Sequence, residues 1–220
     1  MNNFLKSVLA GICISLGGTI FLKTKDLFPG ANIVSSLLFG IGLFLICSRG
    51  YNLFTGKAPN FLSESNKPKY LLFLLEVLIG NILGCLIIAG LEHFTNLYGE
   101  TGINTVAKSL VESKMNQSYL SLFILGFLCN IFIFFAVNGY KNCSSPLEKI
   151  LILFLGVMGF ILCGTEHSIA DFYYWSISGL LFTNPAESLA CLSIIILGNF
   201  VGALFIPFLE NLKISLKSNP

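Results

Sequence analysis

Charge is scarce in this 220-residue chain. Asp, Glu, Lys and Arg make up 11% of it, against roughly 25% in an average soluble domain. Hydrophobic residues make up 55%, mean hydropathy is +0.82, and phenylalanine alone occurs 21 times. A soluble globule cannot cover that much apolar surface, so the chain is an integral membrane protein. The same composition excludes a secreted disulfide domain and a disordered chain. A net charge of only +2 excludes a nucleic-acid binder and implies no strong electrostatic partner. The seven cysteines, Cys13, Cys47, Cys85, Cys129, Cys143, Cys163 and Cys191, include no Cys-x-x-Cys. Six of them lie in apolar runs, which predicts small buried hydrophobes rather than a metal site. The first apolar segment lacks a cleavage site followed by a polar mature domain, so it reads as a membrane helix, not a signal peptide.

A span needs about 20 apolar residues. Six segments qualify: 7–22, 27–48, 70–91 (with one charge, Glu76), 115–140, the short 150–165, and 188–209. Two regions interrupt the pattern. One is Arg49-Gly50-Tyr51-Asn52-Leu53-Phe54-Thr55-Gly56, followed by Pro59; the other is Glu166-His167-Ser168-Ile169-Ala170-Asp171, followed by the apolar piece 172–182. Both read as helices broken at membrane depth. With both termini in the cytoplasm, the inner side holds Lys6, Lys57, Lys67, Lys69, Lys141, Lys149, Lys213 and Lys217, and the outer side Lys23, Lys25, Lys108 and Lys114. That excess inside supports the orientation. It places Phe172, Tyr173, Tyr174 and Trp175 in an aromatic belt at the outer interface.

Gly80-Asn81-Ile82-Leu83-Gly84 recurs as Gly198-Asn199-Phe200-Val201-Gly202, 118 residues later, and the broken elements recur with Thr55 and His167 112 residues apart. One such motif reads as helix packing through small residues. Two in register with two breaks predict an all-α integral membrane fold of six transmembrane helices. They form two inverted three-helix repeats, about 1–96 and about 115–213, in one channel domain over 1–220, with helices 2 and 5 broken. Paired broken helices in inverted repeats point to a solute pathway at the midplane. Irregular backbone at that depth is tolerated only where it is buried in protein or lines a cavity, and the half-helix N-termini there favour an anion. Asn199 is assigned to the pathway, and Asn81 and Glu166 to structural support.

At these residues the chain resembles the formate/nitrite transporters, which include a hydrosulfide-channel branch. Asn52-Leu53-Phe54-Thr55-Gly56 is similar to the family's span-two loop, Gly164-Thr165-Glu166-His167-Ser168-Ile169-Ala170-Asp171 to its span-five motif, Gly126-Phe127-Leu128-Cys129-Asn130 to the start of its span four, and Gly198-Asn199 to its span-six GN. The resemblance implies an aquaporin-like fold, a homopentamer with one pore per protomer, and passage of small monovalent anions such as formate, nitrite or hydrosulfide. It implies no cofactor, no metal and no enzymatic activity. It assigns His167 as the central pore histidine, Thr55 as the threonine facing it, and Lys114 as the lysine at the outer mouth. Phe39, Leu43 and Phe160 become constriction residues and Leu53 a second, inner constriction. Asp171 stands where the family has Asn, and Asn52 where it has an acid.

The roles remain open at this level. His167 either donates a proton to the anion, making permeation a symport, or only hydrogen-bonds an anion that crosses charged. Glu166 either receives backbone N–H groups freed by the break or tunes His167. Lys114 is either a fixed charge concentrating anions or a solvated loop lysine, with Lys108 as competitor. Arg49 reads as an ion-pair or loop-bracing residue. Asn184-Pro185-Ala186 reads as a proline at a helix start. The rival function is an aquaporin-type channel for water or small neutral solutes. An intramembrane hydrolase built on Ser168, His167 and Asp171 fails because adjacent Ser and His cannot readily face each other.

Overall fold

The computed structural model describes residues 1–218, with side chains described through Leu212; the Lys213 and Lys217 side chains fall outside that set. All regular structure among these residues is helical. Helices α1 (Asn3–Leu27), α2 (Asn32–Arg49), α4 (Lys67–Glu92), α6 (Tyr119–Asn142) and α10 (Pro185–Ser218) are long and apolar enough to cross a membrane. The sixth segment expected to span, 150–165, falls on α7 (Pro146–Leu162), which at 17 residues is shorter than those five and is not among them. Side-chain caps start several of these helices: Asn2 accepts from the Phe4 N–H, Asn66 from Lys69 and Ser118 from Ser121. Pro185 opens α10, and the Asn184 side chain donates to Glu187.

The polarity is inside out. Ser7, Ser15, Asn52, Thr55, Asn81, Asn130, Glu166, His167, Asp171 and Asn199 are all buried, while Leu72, Ile79, Leu83, Ile124, Leu155, Leu197 and Phe205 point outward. A bilayer requires that distribution. Of the cysteines, Cys13, Cys85, Cys129 and Cys191 are buried, Cys47 and Cys143 half-buried, and Cys163 exposed; all are free.

Glycines bring the helix backbones together. A Cβ on Gly84 would lie 2.2 Å from the Val8 carbonyl oxygen of α1, and one on Gly202 would lie 2.2 Å from that of Phe127 in α6. Gly80 and Gly198 are nearly as tight, against α1 and α6 respectively. Both glycines of each GNxxG therefore serve close helix crossings. Gly84→Ala must push α1 and α4 apart against rigid backbone. We expect it to destabilise the folded chain by about 1–3 kcal/mol, read as a lowered melting temperature in detergent, while Gly90→Ala, with open space at its Cβ and a better helix former in place of glycine, does not lower it.

Both expected breaks are present and are built alike. Helix α2 ends at Gly50, which is left-handed at φ 65°, and the Tyr51 N–H reaches back to the Ile46 carbonyl (3.0 Å). Helix α7 runs out at Gly164, φ 64°, and the Thr165 N–H reaches back to Phe160 (3.1 Å). This is the Schellman closure that glycine permits. The chain then crosses extended residues and restarts as the short α3 (Phe54–Lys57), continued by a 3-10 segment Ala58–Leu62, and as α8 (Ser168–Ile177). Gly50 and Gly164 are 114 residues apart, so the position matching His167 is Leu53, not Thr55. Leu53 and His167 are both the residue that caps the restarted helix.

Two expectations need correction. Phe172, Tyr173, Tyr174 and Trp175 do not form an interfacial belt: all of α8 is buried, with the Tyr173 ring packed onto Gly18. A restarted half-helix sits inside the bundle, so its aromatics fill the interior. Second, span four starts at Tyr119 rather than at residue 115, and Lys114 lies on a helix of its own. Ile103–Met115 forms helix α5, with Ile103, Ala107 and Val111 buried. The short helix α9 (Leu180–Thr183) links α8 to α10.

Candidate functional site: a buried His–Thr contact between two cavities

Two cavities approach each other from opposite ends of α2 and α7. The first, about 430 Å³, is lined by Asn32, Ser36 and Phe39 of α2, Phe160 to Leu162 of α7, Lys114 of α5, and Glu166, His167 and Asp171 at the second break. The second, about 180 Å³, is lined by Leu43, Ile46 and Cys47 of α2, Leu53, Gly56 and Lys57 at the first break, and Tyr140, Lys141 and Lys149. Phe39 and Leu43 are one turn apart on α2, so the septum between the cavities is about 6 Å thick at that wall.

The septum is apolar except at one point. Phe39 and Phe160 meet edge to face at 6.0 Å, and Phe160 stacks on the His167 ring at 5.7 Å. Leu43 lies with Leu53 on the second cavity rather than with Phe39 and Phe160 on the first. Across the septum Thr55 Oγ1 and His167 Nε2 stand 3.0 Å apart, both fully or almost fully buried. The two broken helices thus deliver one polar group each to the same point.

The histidine's second nitrogen is already committed. The Ala170 N–H donates to His167 Nδ1 at 3.2 Å. An imidazole nitrogen that accepts carries no hydrogen, so the proton is on Nε2 and the ring is neutral. An imidazolium would set Nδ1–H against the Ala170 N–H, donor against donor. The arrangement presents a neutral Nε2–H donor at the septum. Thr55 complements it, because its hydroxyl both donates and accepts.

Asn199 and Asn81 hold the breaks and do not line either cavity. The Ser168 N–H donates to Asn199 Oδ1 (2.8 Å), while Asn199 Nδ2 donates to the carbonyls of Gly126 (2.7 Å) and Glu166 (2.8 Å). At the first break the Phe54 N–H donates to Asn81 Oδ1 (2.8 Å), and Asn81 Nδ2 donates to Ser7 (2.7 Å) and Asn52 (2.8 Å). Every polar atom of each amide is used on backbone, which moves Asn199 from the pathway to the support. Asn130 adds a bond from Nδ2 to the Thr55 carbonyl (3.1 Å).

These amides do what was expected of Glu166. Its carboxylate receives no backbone N–H; it pairs with Lys114, which also meets Asp171 Oδ1 at 3.0 Å. Lys114 is therefore no solvated loop residue, nor a free charge: α5 carries it inward to two buried carboxylates. Lys108 pairs with Glu112 at the surface. Arg49 is exposed at the end of α2 and makes no ion pair among the described residues. Sequence reasoning also missed Glu92. It is buried at the end of α4, accepts from Tyr173 (2.7 Å) and Thr19, and so ties α8 to α1 and α4. The visible signal was an acid directly followed by polar and aromatic residues, which also suits an interface.

Known proteins share this fold. The family model described as formate/nitrite transporter matches residues 1–211. An uncharacterised transporter of Bacillus subtilis, YwcJ, is 30% identical over 191 residues, covering 82% of this chain and 74% of that protein. The formate channel FocA of Escherichia coli is 26% identical over 189 residues, 79% of this chain; that match takes in 65% of the relative's own length, a little under two thirds. A pentameric formate channel with formate bound superposes with a TM-score of 0.82 at 24% identity, covering 97% of this chain and 96% of that one. An FNT family ion channel superposes at 0.81 and 23%. At those identities the superpositions establish the fold. Taken with the match along 1–211, they lead to one conclusion: the chain belongs to the formate/nitrite transporter family of membrane transport proteins.

Proposed function

We propose that each protomer is a pore for the small monovalent anions of weak acids, with formate, nitrite and hydrosulfide as the candidate class. The observation that carries this reading is the His167–Thr55 contact, buried in a thin apolar septum between two cavities. A bare ion in such a septum is several kcal/mol or more unfavourable. A passenger must be small enough to span it in one step and must find hydrogen-bonding partners there. His167 Nε2–H donates to an anion oxygen or sulfur, and Thr55 either donates to an anion or accepts from a neutral acid. Phe39 and Phe160 form the constriction on one side and Leu43 and Leu53 on the other.

The matching hydrogen-bond sets at the two breaks support two inverted repeats, about 1–96 and about 115–213, within one domain. The pentameric relative of the same fold supports a homopentamer. The lysine distribution supports a cell-membrane protein with both termini cytoplasmic, which puts the first cavity outside and the second, with Lys57, Lys141 and Lys149, inside. The water-channel alternative lacks support, because the single Asn-Pro-Ala starts α10 away from both cavities. The test is a substrate panel in proteoliposomes at two pH values. Formate, nitrite or hydrosulfide should pass faster than through protein-free vesicles, while divalent sulfate should be excluded. Sulfate flux equal to that of formate would refute a septum of this kind.

A further inference from the structure

The first cavity holds an acid–base cluster that anion attraction does not explain. Glu166 and Asp171 are each 1% exposed, and both converge on the one ammonium of Lys114. With all three ionised, the cluster carries one net negative charge. A buried net charge is penalised by several kcal/mol, and a negative one at this place repels the anion the pore admits. The neighbours do not cancel it. His167 is neutral by its hydrogen bonding. Tyr174 on α8, Cys129 on α6 and Cys191 on α10 lie within electrostatic reach of one or both carboxylates and are uncharged in ordinary conditions. Lys25 on α1 lines the same cavity and keeps its positive charge, but its ammonium lies against Asn32 Oδ1 (3.2 Å) and the Phe21 ring and pairs with neither carboxylate. A further fact singles out Asp171. Its Oδ2 is buried and has no hydrogen-bond partner, in a residue that lines the cavity beside His167.

We propose that the Glu166–Lys114–Asp171 cluster is the proton-loading site of the pore, with Asp171 as the group that gives a proton to the entering anion. The inference rests on the proposed anion pathway and adds the source of the proton. The resting cluster holds one proton on Asp171, leaving Lys114 and Glu166 as a neutral pair. When a weak-acid anion arrives, the Asp171 O–H bond breaks and a new bond forms to the anion. The products are the Asp171 carboxylate and the neutral acid, and no charge is created or lost. The neutral acid crosses the septum with His167 Nε2–H and Thr55 as hydrogen-bonding partners. The negative cluster left behind is reloaded by a proton from the water of the first cavity. His167 is a positioning donor throughout and never becomes imidazolium, as its bond from Ala170 requires.

The test compares charge movement with formate movement in the same proteoliposomes, with protein-free vesicles subtracted. In the wild type, formate flux carries no net charge, because each anion crosses with a proton. Asp171→Asn keeps an oxygen for Lys114 and removes the transferable proton. It should reduce the flux and make what remains electrogenic, one charge per formate. Asp171→Glu and His167→Asn should stay electroneutral. Electroneutral flux in Asp171→Asn, or one charge per formate in the wild type, overturns the proposal while leaving the anion pathway standing. Absence of any wild-type anion flux overturns both. A measurement on the wild type alone covers a variant that fails to fold: infrared difference spectra on adding carbon-13-labelled formate should show loss of an unlabelled protonated carboxyl band, with the formic acid band displaced by the label, and an unchanged unlabelled carboxyl region overturns the assignment.

Discussion

Asn199→Leu should be among the most destabilising single changes in this chain. The leucine leaves the Ser168 N–H and the carbonyls of Gly126 and Glu166 without partners, all of them served by the one amide. A buried polar group stripped of its partner costs about 1–3 kcal/mol, and no water reaches a residue with 0% exposure to replace the bond. The summed cost is a large fraction of the stability of a typical fold. The expected result is loss of a monodisperse peak in detergent or a strongly lowered melting temperature. Asn81→Leu should do the same at the first break, where the bonding is equivalent. Asn138→Leu is the control, since that residue is exposed. Wild-type stability in Asn199→Leu would mean that the breaks are held by something other than these amides.

His167→Phe should close the pore without unfolding it. Phenylalanine preserves the stacking on Phe160 and removes the Nε2–H donor facing Thr55. A hydrogen bond contributes about 0.5–1.5 kcal/mol to a neutral acid and about 1.5–3 kcal/mol to an anion, so losing it at the top of the barrier should slow flux by about two- to tenfold in the first case and about ten- to a hundredfold in the second. The stability change should be modest, because one interaction at the start of α8, from Ala170, is lost. His167→Asn separates the roles. An asparagine at that capping position keeps an acceptor for the Ala170 N–H and a donor amide for the passenger. Its flux should fall between wild type and His167→Phe. If the two substitutions lower flux equally, the donor is not what His167 supplies.

Much of the fold was legible because its signals are local. Gly50 and Gly164 end helices by backbone freedom alone, and the apolar runs between charges fix the spans. The repeated Gly-Asn-x-x-Gly was visible as a pattern, but its division of labour was not. In sequence Asn81 reads as support but Asn199 as a pathway residue, and only the three-dimensional meeting of helix and break shows both amides consumed by backbone. The same limit applies to Lys114. The family resemblance placed it at the outer mouth, yet its ion pairs are with Glu166 and Asp171, 52 and 57 residues further along, and depend on α5. That helix is short and weakly apolar, and its buried stripe of Ile103, Ala107 and Val111 is easily passed over between two strong spans. That Thr55 faces His167 was expected only through the family resemblance. That they touch follows from the two breaks meeting at one septum, which no spacing encodes.

The most direct test of the central claim measures anion flux and water permeability side by side in the same proteoliposomes. A septum of Phe39, Phe160, Leu43 and Leu53 with one polar contact should pass formate, nitrite or hydrosulfide well above the protein-free rate. It should raise osmotic water permeability little, because a continuous water file needs more than one hydrogen-bonding station. Fast water permeation with no anion flux from a folded protein would contradict the account.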